Sequence, residues 1–191
     1  MLQGITALTT YLRNRLPDQK QFLPVLSTVV FIVFSWAIYH AFYQVPGWLF
    51  YTTLPGVLVL FAYILGFALI ESLMVSAFLA AYCLFLPENW LKRNFAAQGC
   101  ILAILLALMT YLLRNNFDRI QKLEVWQMAI IPLAIFLGIA LVSPLLAILF
   151  ERFPKLTRII EGIGERLTIF SYIYIPLGIL GWLVVLIRNI F

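Results

Sequence analysis

The sequence predicts an all-α integral membrane protein: a bundle of about five transmembrane helices with short amphipathic helices at the membrane interface. Of its 191 residues, 64% are hydrophobic and only 11% are charged, whereas soluble domains are near half apolar and a quarter charged. The mean hydropathy is +1.02. A chain of this length could not bury so much apolar surface in water, because small domains expose a large share of their surface.

The distribution of charge indicates a lipid bilayer as partner. The 13 lysine and arginine residues give a net charge of +5 and lie almost entirely in the gaps between apolar runs. Residues in such gaps face anionic lipid head groups and orient the helices. This placement argues against nucleic acid as the partner of the basic residues. No small-residue cleavage site follows the first apolar run, so we expect that run to be retained as a span.

The chain divides into an N-terminal amphipathic interfacial segment, 1–21, and a single transmembrane helical domain, 22–191. In the first segment Ile5, Leu8 and Leu12 fall on one helical face, which is the pattern of a helix lying in the interface. The apolar runs are each long enough to cross a hydrocarbon layer of about 30 Å. These runs cover about 22–43, 55–86, 96–114, 124–150 and 167–190.

The gap between the last two spans predicts a second interfacial helix. Its sequence, ERFPKLTRIIEGIGER at 151–166, mixes charged residues with apolar ones on one side. Leu156, Ile159 and Ile163 would lie against the lipid, and the charged side chains would face water.

Residues 45–87 allow two interpretations. A hairpin of two short spans would give six spans in all. A single helix from Pro55 to Leu86 would give five, and Pro55 suits the first turn of a helix. Length favours the hairpin, because a helix of 32 residues would be about 48 Å long, against about 30 Å of hydrocarbon.

Charge favours the single helix. With five spans, one side of the membrane carries nine basic residues and the other four: Arg13, Arg15, Lys20, Lys92, Arg93, Arg152, Lys155, Arg158 and Arg166 against Arg114, Arg119, Lys122 and Arg188. With the hairpin the counts become seven and six. Since cytoplasmic loops are enriched in lysine and arginine, we expect five spans with a cytoplasmic N-terminus and an external C-terminus, in a bacterial plasma membrane.

Two stripes of small residues predict close helix packing. At intervals of four, one span carries Ala68, Ser72, Ser76 and Ala80, and the next carries Gly99, Ala103 and Ala107. Small residues at this spacing let helix backbones approach closely in lipid. We therefore expect these two spans to pack antiparallel along the stripes. The alternative is that alanine and serine are simply common in such helices.

Glu71 is the only charged residue between Val45 and Pro87. On a single helix it would lie near the bilayer centre, where an acid costs about 2.5–3.5 kcal/mol and is by default a functional hypothesis. It could donate a hydrogen bond to another helix, sit at a wet turn of the hairpin, or bind an ion or proton. The candidate partners are Ser35, Ser143, Ser171, Tyr172, Tyr174 and Glu71 of another copy.

The sequence offers no catalytic constellation. It has one histidine and two cysteines, too few ligands for a zinc site, and it contains neither a nucleophile elbow nor a phosphate-binding loop. We therefore expect no enzyme, no metal and no cofactor. The sequence favours a non-catalytic scaffold or accessory subunit that contacts a protein partner or further copies of itself. The alternative is an oligomeric channel or transporter for an ion or small solute, with Glu71 at its pathway.

Overall fold

The computed structural model describes residues 15–85, 94–116 and 124–190. Within these residues the chain forms five long helices and no strand. The helices are α1 (Gln19–Trp48), α2 (Leu54–Tyr82), α3 (Phe95–Asn115), α4 (Val125–Arg152) and α5 (Pro154–Ile190). Each is long and apolar enough to cross a membrane, so the predicted number of helices with the length and composition of a span is confirmed.

The region around Glu71 is one helix, and the hairpin interpretation is wrong. α2 runs without a break through Gly66 and Glu71 and is about 44 Å long at 1.5 Å per residue. Its one proline lies in the first turn. Backbone N–H groups there have no acceptor within the helix, so proline costs no hydrogen bond. Small polar side chains within it bond to their own helix: the Ser72 hydroxyl donates to the Ala68 carbonyl at 2.7 Å.

The second predicted interfacial helix is not a separate element. Residues 154–166 form the first turns of α5, which continues to Ile190. Phe153 alone separates α4 from α5, because Pro154 ends the preceding helix and is well placed to begin the next. As for the predicted segment 1–21, residues 1–14 lie outside the described residues, and α1 begins at Gln19.

Among the described residues, the buried apolar side chains come from α1, α2, α3 and α4, and α5 contributes small buried residues at its contacts. α1, α2 and α5 pack extensively on one another, α3 packs mainly on α1, and α4 makes small contacts with α3 and α5. Gly164 lies against Pro24 and Gly178 against Phe34, so α5 runs parallel to α1.

The backbones of α2 and α5 approach each other closely. A Cβ on Gly181 would lie 2.5 Å from the carbonyl oxygen of Ala62, and one on Gly66 would lie 3.3 Å from the Trp182 ring. The Trp182 indole N–H donates to the Gly66 carbonyl at 3.0 Å. Two glycines thus let the backbones meet, as small residues do between membrane helices.

The small-residue stripes of α2 and α3 do not pack mainly on each other, as the sequence predicted. α2 and α3 are not one of the main packing pairs; both pack on α1. Ala68 joins the cluster that contains Val30 of α1, and Gly99 lies against Val25 of α1. Ser72, Ser76 and Ala103 are buried, whereas Ala80 and Ala107 are half-buried.

Tyr82 ties α4 to the end of α2. Its hydroxyl donates to the Phe136 carbonyl at 2.7 Å, and the two ring centroids lie 4.8 Å apart.

Replacing Tyr82 with phenylalanine is expected to lower the free energy of unfolding by about 1 kcal/mol, because the hydrogen bond is lost while the ring remains. Chemical denaturation in detergent measures this. Tyr172→Phe, at a residue 76% exposed, is the control, and an equal loss in both variants would contradict the assignment.

Candidate functional site

Glu71 lies near the middle of α2, and its side chain is exposed. It opens into a groove of about 360 Å³ lined by α1, α2 and the end of α3. Side chains on a helix lean toward its N-terminus, so the carboxylate of Glu71 lies over the preceding turn, that of Phe67 and Ala68. Both of those residues also line the groove.

α1 forms the floor of this groove. Ala37, His40, Ala41 and Gln44 line it, and their spacing places them on one helical face. The side chains of Ala37 and Ala41 are small, so they leave space in the groove for polar groups. His40 and Gln44 bring an imidazole and an amide to the same surface as the acid.

Arg114 supplies the opposite charge. It lies in the last turn of α3, and its side chain reaches the groove that Glu71 lines. The guanidinium carbon lies 5.8 Å from the centre of the Trp36 ring, and the Tyr111 ring meets the same indole edge-on at 6.0 Å. A cation over an aromatic face gains about 0.5–1 kcal/mol at exposed sites, which holds Arg114 against α1.

His40 has an imidazole nitrogen with no protein partner in the described part of the chain. Its ring meets Trp36 edge-on at 4.4 Å between centroids. The Nε2 atom is buried and makes no hydrogen bond among the described residues. Since buried polar atoms nearly always have a partner, this atom is a candidate contact for a bound ligand.

The groove therefore combines groups that the sequence alone did not connect. Glu71, His40 and Arg114 come from three helices and line one surface. None of the intrachain partners predicted for Glu71 lines it. The Ser143 hydroxyl donates to the Ile139 carbonyl of its own helix, and Tyr174 stacks on Phe34.

Chemically, the groove can hold a small charged or polar group. A carboxylate accepts hydrogen bonds, a guanidinium donates them, and an imidazole does either. Within the described residues no cluster of three or more histidine, cysteine, aspartate or glutamate side chains is arranged to hold a metal ion. The mixed charge suits an ion or a small polar solute.

Comparison with known proteins assigns no family. No family model matches the chain, and no curated protein or solved structure matches it. The function must be argued from the groove and the five apolar helices.

Proposed function

We propose that this chain is an integral membrane protein that binds an ion or small polar solute in the groove of Glu71 and moves it across the bilayer. One observation carries the proposal: three ionisable side chains from three helices converge on one groove between apolar helices. This favours the transport hypothesis over the scaffold that the sequence favours.

Glu71 lies near the middle of its helix, whereas Arg114 lies in the last turn of α3, so the cost of burial in lipid falls mainly on the acid. Each ionised side chain near a bilayer centre costs about 2.5–3.5 kcal/mol on insertion scales. Glu71 lies three residues from the midpoint of α2, which is about 4.5 Å along the axis. A site near the midplane, formed between helices, is where transporters place substrates and coupling ions.

The proposed orientation follows the positive-inside rule. The start of α1 and the α4–α5 junction face the cytoplasm, and the α1–α2 connection at 49–53 lies outside. The basic side chains Lys20, Arg152 and Lys155 then lie on the inner side, as cytoplasmic enrichment requires.

Single-cysteine labelling tests both insertion and orientation. In a chain with Cys83→Ala and Cys100→Ala, a cysteine at Tyr51 is expected to react with a membrane-impermeant thiol reagent in intact cells. One at Gln19 is expected to react only after permeabilisation. Tyr51 is 94% exposed and Gln19 is exposed too, so packing does not shield either. Equal labelling of both in intact cells would contradict the orientation.

Flux into proteoliposomes tests the function. The purified chain is reconstituted, and uptake of monovalent cations, protons, chloride and zwitterionic amino acids is compared with that of protein-free vesicles. Uptake that depends on Glu71 supports the proposal. Uptake that is the same without the protein contradicts it.

A second candidate is the non-catalytic scaffold or accessory subunit, and α4 favours it. Leucines at intervals of four form an exposed face on this helix: Leu133, Leu137, Leu141 and Leu145. The helix has only small contacts with the rest of the bundle. Such a face suits a helix of another protein or a second copy. Cysteine crosslinking at Leu141 tests this face: a crosslinked dimer or heterodimer shows that another helix covers it, and monomer alone contradicts this candidate. Because a transporter can also be oligomeric, the flux measurement above distinguishes the two functions.

A further inference from the structure

The junction between α4 and α5 forms a second concave surface, which we name the α4–α5 corner. Besides Pro154, the apolar side chains that line it are Leu149, Phe153, Leu156 and Ile159. The exposed fractions of these four are 38, 52, 37 and 60%. The basic residues Arg152 and Lys155 line the same cavity, which has a volume of about 660 Å³.

We propose that the α4–α5 corner binds one anionic phospholipid. Its phosphodiester lies between Arg152 and Lys155, and an acyl chain covers Phe153 and Leu156. This inference rests on the proposed membrane insertion and is independent of transport through the groove.

Charge complementarity argues for the anionic head group. Arg152, Lys155 and Arg158 are all exposed, and they outnumber the acid of the same stretch, Glu151. Basic residues at the cytoplasmic surface attract anionic lipids, and the electrostatic attraction of each residue falls off within a Debye length. The apolar wall argues for a lipid over a free phosphate, because only an amphiphile covers the leucine and phenylalanine side chains while contacting the cations.

The position of the corner suits the head-group layer. Gly164 meets Pro24, near the start of α1. The corner begins ten residues earlier along α5, at Pro154, and lies about 15 Å further along the axis. α5 has 37 residues and is about 55 Å long, against about 40–45 Å for a bilayer with its head groups, so its first turns, and with them the corner, lie at the head-group surface.

Native mass spectrometry of the full chain in detergent tests the site. Dissociation constants are measured for phosphatidylglycerol and phosphatidylcholine. The wild-type chain is expected to prefer phosphatidylglycerol, and the double variant R152Q/K155Q to bind it roughly tenfold more weakly. The control K20Q/R166Q removes the same charge at exposed positions outside the corner, and it is expected to keep the preference.

Three outcomes would overturn the proposal. The first is an unchanged phosphatidylglycerol affinity in R152Q/K155Q, and the second is an equal loss in K20Q/R166Q. The third is complete displacement of the lipid by soluble glycerol phosphate, which would show an anion site without acyl-chain contact. Membrane extraction with alkaline carbonate separates these from a failure of insertion: a chain released by carbonate contradicts the proposed function, whatever its lipid affinity.

Discussion

Replacing Gly181 with alanine is expected to lower the free energy of unfolding by about 2 kcal/mol, in the range for overpacking a tight interior. The added methyl group would lie 2.5 Å from the Ala62 carbonyl oxygen and 3.0 Å from the Gly66 backbone nitrogen. Both atoms belong to a helix backbone and cannot rotate away. α2 and α5 must therefore separate, which also lengthens the hydrogen bond between Trp182 and Gly66. Thermal unfolding in detergent is expected to show a Tm lower by roughly 5 °C.

Gly162→Ala is the matched control on the same helix. Nothing lies within 4 Å of a Cβ built there, and alanine is favoured over glycine in a helix by about 0.5–1 kcal/mol. This variant is expected to be as stable as wild type or slightly more so. If Gly181→Ala unfolds at the wild-type temperature, the close contact between α2 and α5 is absent.

Replacing Glu71 with glutamine is expected to reduce solute flux at least tenfold, which corresponds to a loss of about 1.4 kcal/mol. The amide keeps the shape of the side chain but replaces the acid with a neutral group in the groove that Arg114 also lines. Because Glu71 is exposed rather than packed in the core, folding and membrane insertion are expected to persist. Flux into proteoliposomes and the thermal stability of the same preparation give the two measurements.

Two further variants locate the effect in the groove. Arg114→Gln removes the opposite charge from the same surface and is expected to reduce flux as well. Glu165→Gln removes an acid that is exposed on α5 and does not line the groove, so its flux is expected to match wild type. A loss of flux in Glu165→Gln equal to that in Glu71→Gln would assign the effect to overall charge. Normal flux in Glu71→Gln would show that the carboxylate of Glu71 is not needed in the transport pathway and would contradict the assignment of the groove.

Sequence patterns predicted the helices well because the signals for them are local. Each apolar run is read from its own residues, and the charge count then selected one helix over a hairpin at Glu71. The same local reasoning identified Glu71 as a candidate. It did not identify His40 or Arg114, because each residue's neighbours depend on which helices pack together. A partial signal existed in Arg114: it directly follows an apolar run, and its long side chain leans back toward that run.

Helix pairing was harder to predict for the same reason. Small residues at intervals of four indicate that another helix can pack closely on that face. They do not predict which helix it is. α1 occupies the position predicted for direct contact between α2 and α3. On α5 the small residues Gly164, Ser171 and Gly178 recur every seven positions, and all three are buried together with Gly181. This spacing is visible in the sequence and would have indicated a packed face on the last helix.

The composition of the core has a consequence for biosynthesis. α1 and α2 emerge from the ribosome first and pack on each other, but α5, the helix that packs extensively on both, emerges last. From Tyr82, at the end of α2, to Ile190, at the end of α5, the ribosome adds 108 residues, which takes roughly 5–20 s at 5–20 residues per second. With the proposed insertion, the Gly66 surface would face lipid or an insertion factor during that interval. A nascent chain halted before α5 would present this unfilled surface to the quality-control proteases of the membrane.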